Sequence, residues 1–152
     1  MVRRFAAHLV FPVEGKPIKE GIVHVGEEGK IIQVYEFGSH KSEQANMIFY
    51  SGIIVPQPVA VQGSAMHEAF ELLTGAVPAK VPAFQLPIVV ETNESNQLSV
   101  LKDWALAYSL PTVLPWFTIN AAKYMGKQHL RGSIKPGKAP GLIHVSHFNF
   151  LR

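Results

Sequence analysis

Side chains able to do chemistry are sparse in this sequence, and their types narrow the options at once. There is no cysteine, so the sequence excludes disulfides, thiolate nucleophiles and zinc–thiolate sites. Seven histidines and eleven acidic residues remain as metal ligands or proton-transfer groups. A metal site in this protein would therefore be built from imidazoles and carboxylates.

One spacing fits a metal pair. The segment Ala65 to Leu73 has helical apolar spacing, which predicts a helix with His67 and Glu71 on one face, four residues apart, and Glu68 beside them. Such a pair can hold a divalent metal such as zinc. The second histidine of a zincin helix is absent, so a solvent-facing helix surface is the favoured interpretation.

Two other groupings give weaker patterns. Glu91 and Glu94 flank Asn93 and form a conceivable carboxylate pair, although a solvated loop is the favoured interpretation. His144 and His147 lie three residues apart in or after a predicted strand, which places them on opposite faces. Neither grouping predicts a site by itself.

Composition excludes several classes of protein. The 152 residues are 47% hydrophobic and only 16% charged, as expected for one globular domain with a real core. The net charge of +3 comes without a basic stripe, so no nucleic-acid partner is predicted. No window has a membrane-spanning length and no convincing signal-peptide cleavage site is present, which makes a cytoplasmic location the expectation.

The N-terminal part alternates short apolar runs with turn residues, which is typical of a β-meander. A hairpin turn is expected at residues 27–29, and a polar loop precedes the last run. The predicted strands are Arg4–Phe11, Gly21–Val25, Lys30–Glu36 and Met47–Val55.

The C-terminal part is helical before it returns to a strand. A first helix is predicted over Leu98–Tyr108, with Asn96 or Ser95 as its N-cap. A second is predicted from Leu110 to Met125, with Gly126 in the position that ends a helix. Two turns and a final strand complete the pattern.

The stretch TINAAKYMGKQHLRGSIKPGKAPGLIHV, residues 118–145, resembles the C-terminal signature of the amidohydrolase superfamily. In that signature a T-x-N-x-A-x-x-L-G helix end leads through G-S-I-x-x-G-K-x-A-D-L into a closing strand. Gly132, Gly137 and Lys138 stand at matching positions. The stretch GIVHVGEEGKIIQV is similar to the opening strands of the same deaminase- and chlorohydrolase-like hydrolases. The resemblance implies that both chain ends form a small β-sandwich beside a metal-binding (β/α)8 barrel.

The barrel itself is missing from this sequence. A (β/α)8 barrel takes roughly 200 residues or more, whereas only about sixty separate Pro56 from Thr118. The predicted fold class is α+β, mainly β: a composite β-sandwich of N- and C-terminal strands, with two or three helices left from the end of a lost barrel. We expect a single domain, 1–152, with sandwich strands in 1–57 and 128–152 and a residual helical segment, 58–127, carrying one apolar strand at 86–91.

The resemblance also locates the positions at which the family's chemistry is replaced. Aligning PQPVAVQGS with the family's P-G-F-V-N-A-H-x-H places Gln62 and Ser64 where the two metal-binding histidines belong. The run IVVETNESN is similar to the last barrel strand, with Thr92 and Asn93 at the positions of its threonine and its catalytic aspartate. An uncharged amide is a poor base and a poor ligand for a dication. The sequence therefore predicts no metal at these degenerate positions.

Two hypotheses of function follow from this pattern. The first is a barrel-less pseudoenzyme that works as a binding or assembly module without a cofactor. The alternative is a metal-dependent hydrolase of carbon–nitrogen (non-peptide) bonds, with a centre rebuilt from His67, Glu68, Glu71 or Glu91 at a subunit interface. A gene product without selected function is a third hypothesis.

Self-association is the expected partnership. A lone apolar strand at 86–91 would expose unpaired backbone and apolar surface, which favours pairing with another chain. We expect a homo-oligomer, a dimer in its simplest form, that buries this strand or the helices between Leu98 and Met125. A full-length amidohydrolase paralogue is a second candidate partner.

Overall fold

The computed structural model describes residues 3–38, 47–61, 69–74, 77 and 86–145. Strands contain 36% of these described residues and helices contain 25%, so the predicted α+β, mainly β class is confirmed. The elements in chain order are β1 Arg3–Val10, β2 Ile18–Val25, β3 Ile31–Glu36, β4 Met47–Pro56, β5 Glu71–Leu73, β6 Ile88–Val90, α1 Gln97–Tyr108, α2 Leu110–Phe117, α3 Ile119–Tyr124 and β7 Leu142–Val145, with a 3-10 turn at Glu27–Gly29 between β2 and β3.

The chain divides into two compact units. The described residues of 1–57 and 133–147 form the first, and those of 58–132 form the second. The first unit carries the larger sheet, and the second carries the helices and a two-stranded sheet. Each unit has its own core of buried apolar side chains.

The sheet of the first unit has five strands in the order β3-β2-β1-β4-β7. β1, β2 and β3 form the predicted antiparallel meander. The predicted continuation of that meander into β4 is wrong, because β4 lies on the other side of β1 and runs parallel to it. Its C-terminal half is apolar on both faces, with Ile53, Ile54 and Val55 all buried, and such a strand is most stable between two neighbours.

The composite of N- and C-terminal strands is present in this sheet. β7 pairs antiparallel with the second half of β4, placing Val145 opposite Ile53 and Leu142 opposite Pro56. The core beneath it combines residues from both chain ends, among them Val10, Val23, Ile54 and Ile134. The last strand therefore completes a sheet that the first four strands begin.

A polar cluster ties the loop before β7 to the loop after β1. The Lys138 Nζ donates to a Glu14 carboxylate oxygen at 2.9 Å and to the Ser133 Oγ at 2.8 Å. The Ser133 hydroxyl donates to the same Glu14 oxygen at 2.8 Å. Ser133 is fully buried, so each of its polar contacts replaces one with water. We call Glu14, Ser133 and Lys138 the polar latch.

The helices of the second unit largely follow the sequence prediction. α1 confirms the helix expected over 98–108. The helix expected over 110–125 is broken in two, because Thr118 adopts φ −116° and ψ −90°, outside the helical range. Pro115 lies in the last turn of α2 and has no N–H to donate. The predicted end is confirmed, since Gly126 takes the left-handed conformation with φ 71°.

The helix predicted over Ala65–Leu73 is wrong in its last three residues. Residues 71–73 form β5, which pairs in parallel with β6. The Glu71 N–H donates to the Pro87 carbonyl at 2.9 Å, and the Glu91 N–H donates to the Leu73 carbonyl at 2.7 Å. A short apolar run fits either period, and here pairing with the buried β6 decides the conformation. Residues 65–68 lie outside the described residues.

β6 lies within the predicted strand 86–91 but is not the exposed strand that the sequence suggested. Val89 and Val90 are fully buried, and α2 and α3 both pack against the strand. The Asn120 side-chain amide donates to the Ile88 carbonyl at 2.9 Å, anchoring α3 to β6. The apolar face of this strand is covered within the second unit. Val89 and Val90 therefore give no reason to expect self-association.

Candidate functional site

The residues that the sequence resemblance places at the family's last catalytic position follow β6 directly. The chain leaves the strand at Val90, passes Thr92 and Asn93, and enters α1 at Gln97. Thr92 is buried, whereas Asn93 is exposed. The conformation of these few residues decides what Asn93 is able to do.

Asn93 caps the N-terminus of α1. Its Oδ1 accepts from the Ser95 N–H at 2.9 Å, the Ser95 hydroxyl at 2.6 Å and the Asn96 N–H at 3.0 Å. Its backbone carbonyl accepts from the Gln97 N–H at 3.0 Å, which is the first helical hydrogen bond. These contacts satisfy N–H groups that a helix start leaves without partners.

The contact is reciprocal and forms a capping box. The Asn96 Oδ1 accepts from the Asn93 N–H at 2.8 Å, as a side chain three residues into the helix does in that motif. Asn96 stands at the predicted N-cap position of α1, but its side chain makes no capping hydrogen bond to that helix. The side-chain contacts belong to the turn at residues 93–96, where the Asn93 side chain accepts from the Ser95 and Asn96 N–H groups. The sequence placed the start of α1 correctly but missed the extra turn that begins at Asn93.

Thr92 joins the end of β6 to the segment that leads toward Gln62. Its carbonyl accepts from the Val61 N–H at 3.0 Å. Its hydroxyl is buried and has no hydrogen-bond partner among the described residues. Gln62 and Ser64 lie outside the described residues. This hydrogen bond joins Val61, the residue before Gln62, to Thr92, the residue before Asn93.

The alternative metal ligands do not come together where the structure describes them. Glu71 lies in β5 opposite Ile88, so the helical spacing on which its pairing with His67 depended does not apply to it. Glu91 lies three residues beyond Ile88, roughly 10 Å along the strand. His67 and Glu68 lie outside the described residues. Within the described ranges, no group of three or more histidine, aspartate or glutamate side chains is placed to hold a metal ion.

His144 and His24 have surroundings that give them structural roles. The His144 Nε2–H donates to the Ser51 carbonyl at 2.6 Å, and its ring lies 4.7 Å from that of Tyr50. A bulge in β4 at this point shifts the register between β1 and β4. Burial, together with the charge of Arg4, lowers the pKa of His24 below its usual 6.5. His147 lies outside the described residues.

The sequence analysis missed a group of side chains on the sheet of the first unit. His8, Glu20, Phe37, Met47 and Phe49 line one cavity, although they come from three strands and a turn. None of these residues belongs to a spacing pattern that indicates a site in the sequence. The parallel pairing of β4 with β1 brings them together, and no local signal in the sequence encodes it.

Comparisons with known proteins give a partial likeness to a solved structure. No protein-family model and no curated protein matches this sequence. A weak structural neighbour is a mutant N-acetyl-D-glucosamine-6-phosphate deacetylase from Mycobacterium smegmatis, an amidohydrolase-superfamily protein solved in complex with N-acetyl-D-glucosamine-6-phosphate. The match has a TM-score of 0.32 and 13% identity, and covers 40% of this chain. It spans 15% of the deacetylase, and a likeness at this level does not show a common family.

None of the helices in the described ranges combines the length and the apolar character required to cross a bilayer.

Proposed function

We propose that this chain is an amidohydrolase-like protein without the catalytic barrel, and that it acts as a non-catalytic binding or assembly module. The observation that carries the proposal is the state of Asn93. At the position of the family's catalytic aspartate stands an amide whose oxygen accepts three hydrogen bonds from the start of α1. A group so engaged organises a helix terminus.

The chemistry of the amide points the same way. A carboxamide has no acid–base equilibrium near neutral pH and is a weak ligand for zinc or iron. The water-activating step that the family resemblance implies needs a group that accepts a proton. Asn93 supplies a hydrogen-bond acceptor and no base. An amide in place of the family's aspartate therefore removes the base but keeps the helix cap, because an amide caps a helix as well as a carboxylate does.

We further propose that the module assembles with a second copy of itself, with a full-length paralogue as the other candidate partner. The burial of Val89 and Val90 moves the proposed contact from β6 to the helices. On α1, Leu98 and Leu106 are 52% and 59% exposed and lie two turns apart, on one face. A helix face that presents two leucines to water supports a contact with another chain.

Metal analysis tests the proposal directly. The full chain would be purified without chelators, incubated with zinc, iron or manganese, and desalted. Its metal content would then be measured by inductively coupled plasma mass spectrometry. We expect substoichiometric metal and no hydrolysis of carbon–nitrogen bonds by the loaded protein. Stoichiometric metal that the double variant His67→Ala, Glu71→Ala no longer retains would overturn the proposal in favour of a rebuilt hydrolase centre.

A further inference from the structure

A cavity of about 370 Å³ opens on the sheet of the first unit. Its floor is formed by Ala6 and Ala7 of β1, which are buried, and its walls by side chains from β1, β2, β4 and the turn after β3. This volume lies in the range of small-molecule sites. Among the described residues that line it, none stands at a position that the sequence resemblance marks as catalytic.

Two aromatic rings stand at the cavity with much of their surface in water. Phe37 and Phe49 are each 54% exposed, which is unusual for side chains of this size. The His8 ring meets Phe49 edge to face, with ring centroids 5.0 Å apart. This contact fixes one wall of the cavity while leaving much of the Phe49 surface open. Phe37 and Phe49 therefore offer apolar and π surface that a ligand can cover.

Among the described residues that line the cavity, Glu20 is the one acid, and there is neither lysine nor arginine. Its neighbours Lys19 and Gly21 pair with Leu9 and Ala7, which places Glu20 opposite His8 on the adjoining strand. The described lining thus combines apolar walls and the His8 imidazole with a single carboxylate. Such a site repels anions and attracts cations.

The backbone holds Glu20 at the cavity in a conformation that side chains rarely adopt. Its φ of 49° is left-handed, although the residue lies inside β2. Its carbonyl accepts from the Phe37 N–H at 2.8 Å, which ties the acid to the aromatic residue. Strain of this kind persists only where the surrounding structure maintains it, and it is frequent at binding sites.

We propose that this cavity binds an organic ammonium group carried by a small apolar molecule. The cation is held by the Glu20 carboxylate and the faces of Phe37 and Phe49, as cations are in aromatic cages. The apolar part of the ligand lies against Met47 and the alanine floor. Neutral and anionic molecules of the same shape lose the carboxylate contact or are repelled by it.

The test uses benzyltrimethylammonium as the probe and benzyl alcohol and benzoate as neutral and anionic counterparts. Titrations of the full chain would be followed by 1H–15N NMR at pH 7. We expect the cation to bind at least about fivefold more tightly than the alcohol. The chemical-shift changes should be concentrated at residues 6–8, 20, 37 and 49. Benzoate should not bind. Equal affinity for the cation and the alcohol, or no binding of the cation, would overturn the proposal.

Two variants and a control locate the effect. Glu20→Gln keeps the shape of the side chain and is expected to reduce affinity for the cation about fivefold, bringing it to that of the alcohol. Phe49→Leu is expected to weaken binding while preserving an apolar wall. Glu28→Gln removes an exposed carboxylate of the same unit, outside the cavity, and should leave affinity unchanged. Thermal unfolding of each variant tests whether it is folded. Unchanged affinity of a folded Glu20→Gln variant for the cation would contradict the proposal.

Discussion

At the scale of single residues, the positions that resemble a hydrolase signature have structural roles in this chain. Asn93 caps α1, Asn120 anchors α3 to β6, and Lys138 belongs to the polar latch. None of these roles needs a metal or a substrate. Each of these residues therefore supports the fold through contacts within the chain.

The role of Asn93 predicts a particular order of stabilities. Asn93→Ala removes the acceptor for two backbone N–H groups and should reduce the free energy of unfolding by about 1 kcal/mol. Asn93→Asp keeps an acceptor and adds a negative charge at a helix N-terminus, so it should be at least as stable as the unsubstituted protein. Urea unfolding at pH 7 measures both. An alanine variant as stable as the aspartate variant would show that Asn93 does not act as the cap.

At the scale of elements, a glycine permits the close approach of the chain after α3 to the start of that helix. Gly132 has φ 96°, and a Cβ there would lie 2.8 Å from the Ile119 Cα and 2.9 Å from the Ala122 Cβ. Both distances are shorter than nonbonded carbon atoms tolerate. Because the Ile119 Cα belongs to the backbone of α3, it cannot easily move aside. Gly137 has a similar φ of 94° but no atom within 4 Å of its Cβ position.

These two glycines form a matched pair for mutation. Gly137→Ala adds only the strain of a left-handed alanine and should reduce the free energy of unfolding by about 1 kcal/mol. Gly132→Ala adds steric overlap to the same strain, so its loss should be larger, about 2–4 kcal/mol. Denaturant midpoints of the two variants give the comparison. Equal losses would mean that the chain around Gly132 is packed less closely than the structure indicates.

The elements that the sequence predicted well are those with strong local patterns. β1, β2 and β3 alternate or end at turn residues, and α1 and Gly126 carry clear helical signals. The errors lie where partners distant in the sequence decide the outcome. β4 looked like a fourth meander strand, because nothing in its own residues distinguishes β3 from β1 as a neighbour. β5 was predicted as helix since its pairing with β6 is not visible in three residues.

The sequence predicted the strand before the candidate site but not the contacts that Asn93 makes. Thr92 and Asn93 follow β6, which lies within the strand predicted over 86–91. The capping box was missed because Asn93, Ser95 and Asn96 are all good cap residues, and sequence alone does not rank them. The cavity with Glu20 and Phe49 depends on the parallel pairing of β1 and β4, so it follows only once that pairing is known.

At the scale of the whole molecule, the exposed leucines of α1 predict the state of association. If the chain forms the proposed homodimer through this helix, the double variant Leu98→Glu, Leu106→Glu should be monomeric, because burying two carboxylates is unfavourable. Ile32→Glu is the control, since it introduces the same charge at another exposed apolar residue, of β3. Light scattering after size-exclusion chromatography measures the mass. A monomeric unsubstituted chain, or a dimeric double variant, would contradict the proposed contact.

Acid should reduce the stability of the folded chain in two separable ranges of pH. The lowered pKa of His24 makes the unfolded chain take up a proton first as the pH falls below about 6.5, so stability decreases from there to the folded pKa of that imidazole. The polar latch acts at lower pH. The hydrogen bond from Lys138 is the largest influence on Glu14 and, with that from Ser133, keeps its pKa below the usual 4.5 in spite of partial burial.

Glu14 therefore stabilises the folded chain above pH 4.5. This stabilisation is lost as the pH falls through the pKa that Glu14 has in the folded chain. Because the Glu14 side chain is 37% exposed, solvent screening limits this contribution to less than about 1 kcal/mol. Glu14→Gln removes the titrating group, so the difference in unfolding free energy between the two proteins should shrink as the pH is lowered from 6 to 3. The loss that begins near pH 6.5 belongs to His24 and should be the same in both. A constant difference down to pH 3 would mean that Glu14 makes no charge-dependent contact with Lys138 in the folded chain.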